Sequence, residues 1–458
     1  RFTMRLSLPG TKSNLYFSVL AANLAAAALG TQYTWSSPTI PRLQEPGSWL
    51  SLSNEQASWL GSLTALGTVF GPYLGGWLLD FVGRRWTIFS AVMIGILSWA
   101  VILIASTIWQ IYIGRFLGGL AGGIVFLSNP TYVAEISEPD VRGALGTMFG
   151  FFLVGGFLME YIFGPYVSYT ALVFVNLIPS VLFFLLFPFI PESPHYCLRK
   201  GNFSEAMESL VWLRTGRDLE AVKNETNEIR AEVHQSMSEK AMLSDLVGTR
   251  GTRKGLVIAC GMVAGQQLSG INVVLFYAQS IFIMSGASFS SSVSSIIVGA
   301  LLFFVQGLAA PIVKCFGMKN MFIFSAIGMS IFQVVLGVYF YFNQKGDMST
   351  YGWLPFVSLV GYIITYSVGF GPLAFAVMGE VFPSNVKAPA AAVTVSFAWF
   401  LSFLLTKFFS NVSELIGPYV AFFLFAFFCV VALFFSIFVL PDTRGMTLQE
   451  ILDMLDER

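Results

Sequence analysis

The feature that most constrains this chain is a succession of long apolar runs, each about long enough to cross a bilayer. A membrane-spanning helix needs roughly 20 mostly apolar residues. About six such runs precede Pro191 and about six follow Lys254. They lie near 15–37, 55–79, 86–107, 109–134, 143–166, 168–190, 256–284, 288–313, 320–342, 352–379, 388–410 and 415–440. The sequence therefore predicts an all-α membrane protein with twelve transmembrane helices.

The composition agrees with a membrane protein and argues against other classes. Of the 458 residues, 55% are hydrophobic and 11% are charged, whereas about 25% are charged in an average soluble domain. The net charge is zero, so a nucleic-acid partner has no electrostatic support. The four cysteines lack CxxC spacing and the two histidines lie about forty residues apart, so we expect no metal site and no cofactor. The first apolar run is too long for a cleavable signal peptide.

Residues 191–254 separate the two sets of apolar runs and are strongly charged. They contain ten Lys or Arg and ten Asp or Glu residues. Within them, 203–213 and 219–233 have helical periodicity with charge on one side, which predicts short amphipathic helices. The predicted organisation is an N-terminal six-helix half (1–190), a cytoplasmic helical linker (191–254), a C-terminal six-helix half (255–440) and a cytoplasmic C-terminal segment (441–458).

The placement of Lys and Arg predicts the orientation, because positive charge concentrates in cytoplasmic loops. With twelve spans and the charged linker inside, both termini are cytoplasmic in a multi-pass protein of the plasma membrane. The basic residues that then fall on the cytoplasmic side are Arg84, Arg85, Arg142, Lys314, Lys319, Lys387 and Arg444.

The two halves repeat each other in sequence. Glu135 and Arg142 follow the fourth run with the same spacing as Glu380 and Lys387 after the tenth. Pro-Glu-Ser (191–193) closes the first half as Pro-Asp-Thr (441–443) closes the second. A duplicated six-helix unit around a central cavity is a transporter architecture.

The stretch Gln-Gln-Leu-Ser-Gly-Ile-Asn (266–272) places three carboxamide side chains inside an apolar run. Such groups are costly in hydrocarbon unless they face protein or a water-filled cavity. Ser269-Gly270 is a point where the helix can break, and transporters place substrate sites at broken helices. Carboxamides donate and accept hydrogen bonds without charge, which suits a neutral, hydroxyl-rich ligand. The alternative is a helix–helix contact held by polar side chains.

Two further patterns place charge beside the apolar runs. Gly-x3-Asp-x2-Gly-Arg-Arg (76–85) joins the second and third runs, and its charges either pair across a cytoplasmic helix interface or belong to an ordinary positively charged turn. Arg115 lies within an apolar run and needs an acidic partner, for which Glu135 and Glu380 are the natural candidates.

Taken together, these motifs resemble the sugar porters of the major facilitator superfamily over nearly the whole chain. The order and spacing of seven motifs carry the resemblance: Gly-x3-Asp-x2-Gly-Arg-Arg (76–85), Gly-Arg-Phe-Leu-Gly-Gly (114–119), Glu-x6-Arg-Gly (135–143), Pro-Glu-Ser-Pro (191–194), Gln-Gln-Leu-Ser-Gly-Ile-Asn (266–272), Gly-Glu-Val-Phe-Pro (379–383) and Pro-Asp-Thr-Arg-Gly (441–445). The turn expected at Trp-Ser-Ser-Pro (35–38) is similar to the insect facilitative trehalose and hexose transporters.

The resemblance implies a transporter rather than an enzyme, with the halves rocking about a bound sugar in the bilayer. We expect a monomer. The residues expected to line the sugar site are Gln266, Gln267, Asn272, Tyr277, Phe375 and Trp399. The charged residues expected to hold the cytoplasmic face shut in the outward-open state are Asp80, Arg84, Arg85, Arg115, Glu135, Arg142, Glu380 and Lys387.

Several positions depart from the family pattern. Gly150 stands where many members carry Gln, Leu302 and Ala398 stand where animal glucose transporters carry Asn, and Phe375 replaces their Trp. We therefore expect the pocket wall opposite Gln266 to be wider and more apolar. The second cytoplasmic motif also has Lys314 in place of an acid and Met318 in place of Arg.

The leading hypothesis is facilitated diffusion of a neutral sugar, a hexose or trehalose. Proton-coupled symporters of the family use an acid in the first span, and residues 15–37 contain no Asp or Glu. Glu160, near the outer end of the fifth run, is expected to snorkel to the outer surface or to be hydrogen-bonded there. The alternatives are proton-coupled symport through Glu160, a sugar sensor that binds without turnover, and transport of another, more apolar neutral solute.

Overall fold

The computed structural model describes residues 12–238, 243–286, 289–346, 348–383, 386–442, 450–451 and 454–455. Within these ranges the side chains of 236, 238, 243–244, 308–315 and 349 are not described. Arg444, the motif positions 443–445 and the side chain of Lys314 therefore lie outside the described residues. Every regular element in the described part is helical.

The helices follow one another in chain order. They are α1 (Ser13–Thr34), α2 (Ser36–Gln44), α3 (Asn54–Phe81), α4 (Arg84–Leu103), α5 (Ile108–Ile136), α6 (Pro139–Phe163), α7 (Tyr169–Leu186), α8 (Pro194–Arg199), α9 (Phe203–Leu213), α10 (Leu219–Ser238), α11 (Arg250–Leu268), α12 (Ile271–Phe276), α13 (Ala278–Ser285), α14 (Ser291–Phe316), α15 (Met318–Lys345), α16 (Leu354–Val368), α17 (Phe370–Val381), α18 (Lys387–Leu415) and α19 (Pro418–Phe438).

Each predicted apolar run corresponds to one helix or to consecutive helices. In the described residues, ten segments are long and apolar enough to cross a membrane by length and composition. The turn predicted at 35–38 is wrong, because Trp35 has the helical dihedrals φ −53° and ψ −33° and α2 begins at the next residue. Pro38 is tolerated there because it lies in the first turn of α2, where a missing N–H costs no intrahelical bond.

The linker helices pack against the first part of the bundle. The helix predicted at 203–213 is α9, and the helix predicted at 219–233 is α10, which continues to Ser238. The Asn14 side chain donates to the Trp212 carbonyl oxygen at 2.9 Å, and Arg214 donates to the Ile136 carbonyl oxygen at 3.0 Å. We call the end of the bundle where α8–α10 lie the linker end, and the opposite end the distal end.

The spanning helices form two packed groups. Helices α1 and α3–α7 pack on one another as the N-terminal group, and α11–α19 form the C-terminal group. Within the first, a Cβ added to Gly71 would lie 2.3 Å from the Cα of Gly123, so glycine brings α3 and α5 into close contact. The two groups meet where α3 packs on α18 and α6 packs on α14.

Candidate functional site

The C-terminal group contains a helix break between α11 and α12. Gly270 has φ +87° in the left-handed region, and a Cβ there would lie 2.5 Å from the Phe425 ring. Both observations require glycine at this position. The predicted break at Ser269-Gly270 is therefore confirmed, and its cause is the backbone conformation of one residue packed against an aromatic ring.

The break is stabilised by buried side chains that bind the exposed backbone. The Ser269 carbonyl oxygen accepts a hydrogen bond from Gln333 Nε2 at 2.9 Å and one from the Tyr362 hydroxyl at 3.1 Å. A broken helix persists at membrane depth only when its freed backbone groups find such partners. Gln333 and Tyr362 were missed in the sequence, although a lone Gln in an apolar run was a usable signal.

The break brings the three predicted carboxamides into one row. Gln267 donates to Gln266 Oε1 at 3.2 Å, and Asn272 donates to Gln267 Oε1 at 2.6 Å. On a straight helix Gln266 and Asn272 would point about 120° apart. Gln266 itself donates to the carbonyl oxygens of Phe370 and Gly371 at 2.9 and 3.0 Å. The row is thus anchored on the N-terminal end of α17 and presents neutral donors and acceptors.

Aromatic rings line the boundary between the two groups beside this row. Trp399 stacks on Tyr33 with ring centroids 4.5 Å apart. Phe126 of α5 lies 5.6 Å from Phe375 and 5.8 Å from Trp399 between ring centroids. The Trp399 indole N–H is buried and finds no hydrogen-bond partner among the residues that the structure describes. Tyr33 and Phe126 are members of this surface that the sequence analysis did not select.

Tyr277 lies apart from the carboxamide row. Its hydroxyl donates to the Thr406 carbonyl oxygen at 3.0 Å, and the residue is 3% exposed. A Cβ added to Gly61 of α3 would lie 2.2 Å from this hydroxyl. Tyr277 therefore fills the boundary between α3 and α18 at the distal side of the helix break.

The distal end is closed by contacts between the two groups. Ser36 donates to the Phe276 carbonyl oxygen at 3.0 Å, and Tyr161 donates to the Leu275 carbonyl oxygen at 2.7 Å. Lys407 of α18 pairs with Glu55 of α3 at 2.7 Å. Beyond this closure, a cleft of about 590 Å³ opens between α2 and α13.

At the linker end α6 and α14 separate. A Cβ added to Gly146 of α6 would meet nothing within 4 Å, whereas one added to Gly150, one turn further along, would lie 2.7 Å from Gln306 Nε2 of α14. The pocket wall at Gly150, which we expected to be apolar, therefore has the carboxamide of Gln306 beside it. The bundle is therefore open towards the linker end and closed at the distal end.

The charged motif residues of the N-terminal group form a compact network at the linker end. Arg84 donates from Nε and from a terminal nitrogen to the two Glu135 oxygens, both at 2.7 Å, and Ser193 also donates to Glu135. Glu192 accepts the backbone N–H groups of Arg84 and Arg85 at 2.9 and 3.0 Å, so it caps α4. Burial raises the pKa of the Glu192 carboxyl group.

The remaining predicted network residues have their own partners outside the Arg84–Glu135 pair. Asp80 pairs with Arg199 of α8 at 2.7 Å. The side chains of Arg85, Arg142 and Lys387 donate to the carbonyl oxygens of Phe187, Ser137 and Gly379, at 3.2, 3.2 and 3.1 Å respectively. Glu380 is half-buried on α17. Glu192, Ser193 and Arg199 are members of the network that were not predicted, although the first two lie in the Pro-Glu-Ser-Pro motif.

The predicted pairing of Arg115 with Glu135 or Glu380 is wrong. Arg115 and Glu135 lie 20 residues apart on the same helix, which at a rise of 1.5 Å per residue separates them by about 30 Å. Arg115 is fully buried and donates to the carbonyl oxygens of Gln32 and Leu60. It thus stabilises the packing of α1, α3 and α5 in the distal half of the N-terminal group.

The expectation that Glu160 snorkels to the surface is also wrong. Glu160 is 0% exposed, and the Asn176 amide is close enough to act on its carboxylate, although no described residue meets the standard hydrogen-bond geometry with it. The polar groups that act on it are Asn176 of α7, Arg115 of α5 and Arg42 of α2. It is therefore an interior acid of the N-terminal group.

The comparisons with known proteins agree with this architecture. A family model described as "Sugar (and other) transporter" matches residues 14–455. The facilitated trehalose transporter Tret1 of Polypedilum vanderplanki is 34% identical over 443 residues, covering 95% of this chain and 88% of that protein. The Tret1-2 homolog of Drosophila sechellia is 35% identical over 449 residues, covering 96% and 92%.

Solved structures show the same fold. The proton:xylose symporter XylE bound to 6-bromo-6-deoxy-D-glucose superposes with a TM-score of 0.78 at 24% identity, covering 98% of this chain and all of that chain. The inward open conformation of XylE from E. coli gives 0.80 at 22% identity, covering 96% and 99%. With a family match over nearly its whole length, the chain belongs to the sugar (and other) transporter family.

Proposed function

We propose that this protein is a facilitative transporter that moves a neutral sugar, trehalose or a hexose, across the plasma membrane. The observation that carries the proposal is the row of Gln266, Gln267 and Asn272 at the helix break. Neutral hydroxyl groups need both donors and acceptors, and carboxamides supply both. The names of the curated relatives, facilitated trehalose transporters, support the substrate class and the uniport mode.

The proposed architecture has twelve spans in two six-helix halves. The linker helices and both termini lie in the cytoplasm, which follows from the concentration of Lys and Arg at the linker end. The two packed groups and the ten long apolar segments support this arrangement. The linker end is then the cytoplasmic end and the distal end faces outside.

In the proposed mechanism the structure represents an inward-facing state. The distal contacts of Tyr277, Ser36 and Lys407 exclude the outside, while the gap beside Gly146 admits the cytoplasm. Rocking of the two groups about the sugar exchanges this state for an outward-facing one. In that state we expect the inner ends of α6 and α14 to approach and the distal contacts to separate.

Each carboxamide is already bonded to protein, so a sugar hydroxyl must share or replace those bonds. Asn272, for example, also donates to the Ser402 hydroxyl at 2.8 Å. A neutral hydrogen bond contributes only about 0.5–1.5 kcal/mol net, so the exchange of one such bond for another changes the free energy by less than that. A weak net gain of this kind suits a transporter that must release its substrate on either side.

Uptake of radiolabelled trehalose and glucose into proteoliposomes tests the proposal. We expect saturable uptake that stops when the internal and external concentrations are equal, and a KM about tenfold higher in Gln266→Ala. Gln344→Ala is the matched control, because Gln344 is an exposed carboxamide on the same half. Absence of uptake of any sugar, or an unchanged KM in Gln266→Ala, would refute the proposal.

The burial of Glu160 favours proton-coupled symport as the second candidate. A buried acid beside Arg115 and Asn176 is an expensive feature that functional sites often contain. An imposed pH gradient separates the two candidates: accumulation of sugar above its external concentration would support symport, whereas equal final concentrations support facilitated diffusion.

A further inference from the structure

Gln306 on α14 is a half-buried carboxamide that makes no hydrogen bond with the described residues. Its amide lies against α6 of the other half. A Cβ added to Gly150 of α6 would lie 2.7 Å from Gln306 Nε2 and 3.7 Å from its Cδ. The Gln306 amide therefore occupies the space that a side chain at position 150 would fill.

The helix geometry directs Gln306 inward. Phe304 is 67% exposed and marks the outward face of α14. Two residues further on, Gln306 lies about 200° around the helix, on the opposite face. That face also carries Leu302, which is four residues away and 2% exposed. Position 306 thus continues the interior face of α14 by one turn.

Gln306 lies at the last contact before α6 and α14 separate. On the distal side, Phe151 and Phe303 pack with ring centroids 4.1 Å apart. On the linker side, an added Cβ at Gly146, one turn of α6 before Gly150, meets nothing within 4 Å. The Gln306 amide is thus placed where the closed interface becomes the open cavity.

The aromatic rings of the candidate site lie at the same depth in the bundle as Gly150 and Gln306. Phe149, adjacent to Gly150, packs on Phe126 with ring centroids 5.1 Å apart. Phe126 in turn contacts Phe375 and Trp399. Gln306 therefore borders the cavity wall to which these rings belong.

We propose that Gln306 binds the transported sugar directly and supplies the carboxamide that positions 150 and 302 lack. Its Oε1 accepts a hydrogen bond from a sugar hydroxyl and its Nε2 donates one. This role also requires glycine at position 150, because a larger residue there would displace the Gln306 amide. This inference rests on the proposed function and adds to it a second polar contact, made from α14 rather than from α11.

Two quantities are measured for each variant: the KM in the uptake assay, and the melting temperature of the purified protein. We expect Gln306→Ala and the nearly isosteric Gln306→Met to raise KM about threefold to tenfold, the loss of one or two neutral hydrogen bonds. The melting temperature of Gln306→Met should remain that of the parent, because the volume is kept. A wild-type KM in Gln306→Met would overturn the inference.

A swap variant tests the position as well as the group. Gly150→Gln combined with Gln306→Ala returns a carboxamide to the same space from the opposite helix, so we expect a KM within about twofold of the parent. Gly150→Gln alone crowds Gln306 and should raise KM. A double variant no better than Gln306→Ala would overturn the inference.

The outcome is separable from that of the proposed function. If Gln266→Ala raises KM while Gln306→Met does not, the transport proposal stands and the role of Gln306 is refuted. If the parent protein takes up no sugar, the proposed function itself is refuted.

Discussion

The ammonium group of Lys407 on α18 lies 2.7 Å from the carboxylate of Glu55 on α3 and so joins the two groups of helices at the distal end. The same ammonium group donates to the Ser58 hydroxyl at 2.7 Å and lies 4.5 Å from the centre of the Trp59 ring. Asn411 also donates to Glu55 at 3.0 Å. In the proposed transport cycle we expect this pair to separate when the outer side opens.

Replacement of Lys407 by Ala should therefore shift the protein towards the outward-facing state. The Glu55 side chain is 59% exposed, so solvent screens the pair and we expect a modest shift of about twofold. The readout is labelling of Ala57→Cys by an impermeant maleimide, in protein whose four native cysteines are serine, because Ala57 is 1% exposed and lies two residues after Glu55 on α3. Lys345→Ala is the control; equal labelling rates in both variants would contradict the prediction.

Replacement of Glu135 by Gln should destabilise the N-terminal group. Its two oxygens bind a nearly buried Arg84, and removal of one partner of a buried pair costs about 3 kcal/mol of unfolding free energy. Asp80→Asn is the matched control, because the Asp80–Arg199 pair is more exposed and contributes at most about 1 kcal/mol. Thermal unfolding in detergent measures the stability of both variants. Similar losses of stability in Glu135→Gln and Asp80→Asn would refute the prediction.

Replacement of Gly270 by Ala should disrupt the helix break. The positive φ costs about 1–2 kcal/mol for any residue with a Cβ, and the clash with Phe425 adds to it. We expect a lower melting temperature and loss of uptake. Gly286→Ala shares the positive φ but has nothing within 4 Å of its Cβ, so it isolates the backbone cost. A Gly270→Ala variant as stable as Gly286→Ala would be inconsistent with this account.

Replacement of Glu160 by Gln should leave sugar uptake unchanged at all pH gradients if transport is facilitative. The side chain is enclosed in the N-terminal group and does not contact the carboxamide row, so removal of its charge changes no sugar contact. Uptake with and without an inward proton gradient measures this. Gradient-driven uptake that disappears in Glu160→Gln would favour the symport alternative.

Local sequence signals were sufficient to predict the helix break and helix α9. Gly270 follows a polar cluster in an apolar run, and 203–213 has clear helical periodicity, so both depend on nearest neighbours along the chain. The family motifs, which are spread along the chain, allowed the overall fold to be predicted as well. Arg84 and Glu135 were named as network members, but their direct pairing depends on how α4 and α5 pack.

The residues that were misplaced depend on long-range packing. Arg115 binds backbone oxygens of α1 and α3, which are partners that no side-chain motif encodes. The placement of Tyr277 between α3 and α18 depends on how the two groups of helices pack at the distal end. Gln306 was overlooked because its relation to Gly150 crosses from one half of the chain to the other.

The attachment of the linker helices has a mechanical consequence. Arg199, Arg214 and Tyr196 bind residues of the N-terminal group, the last through a 3.0 Å bond to the Phe81 carbonyl oxygen. Helices α8–α10 must therefore travel with that group, and the chain between α10 and α11 must accommodate any rotation of one half against the other. An antibody fragment raised against α9 or α10 would consequently serve as a fiducial for the N-terminal half in electron microscopy without arresting the transport cycle.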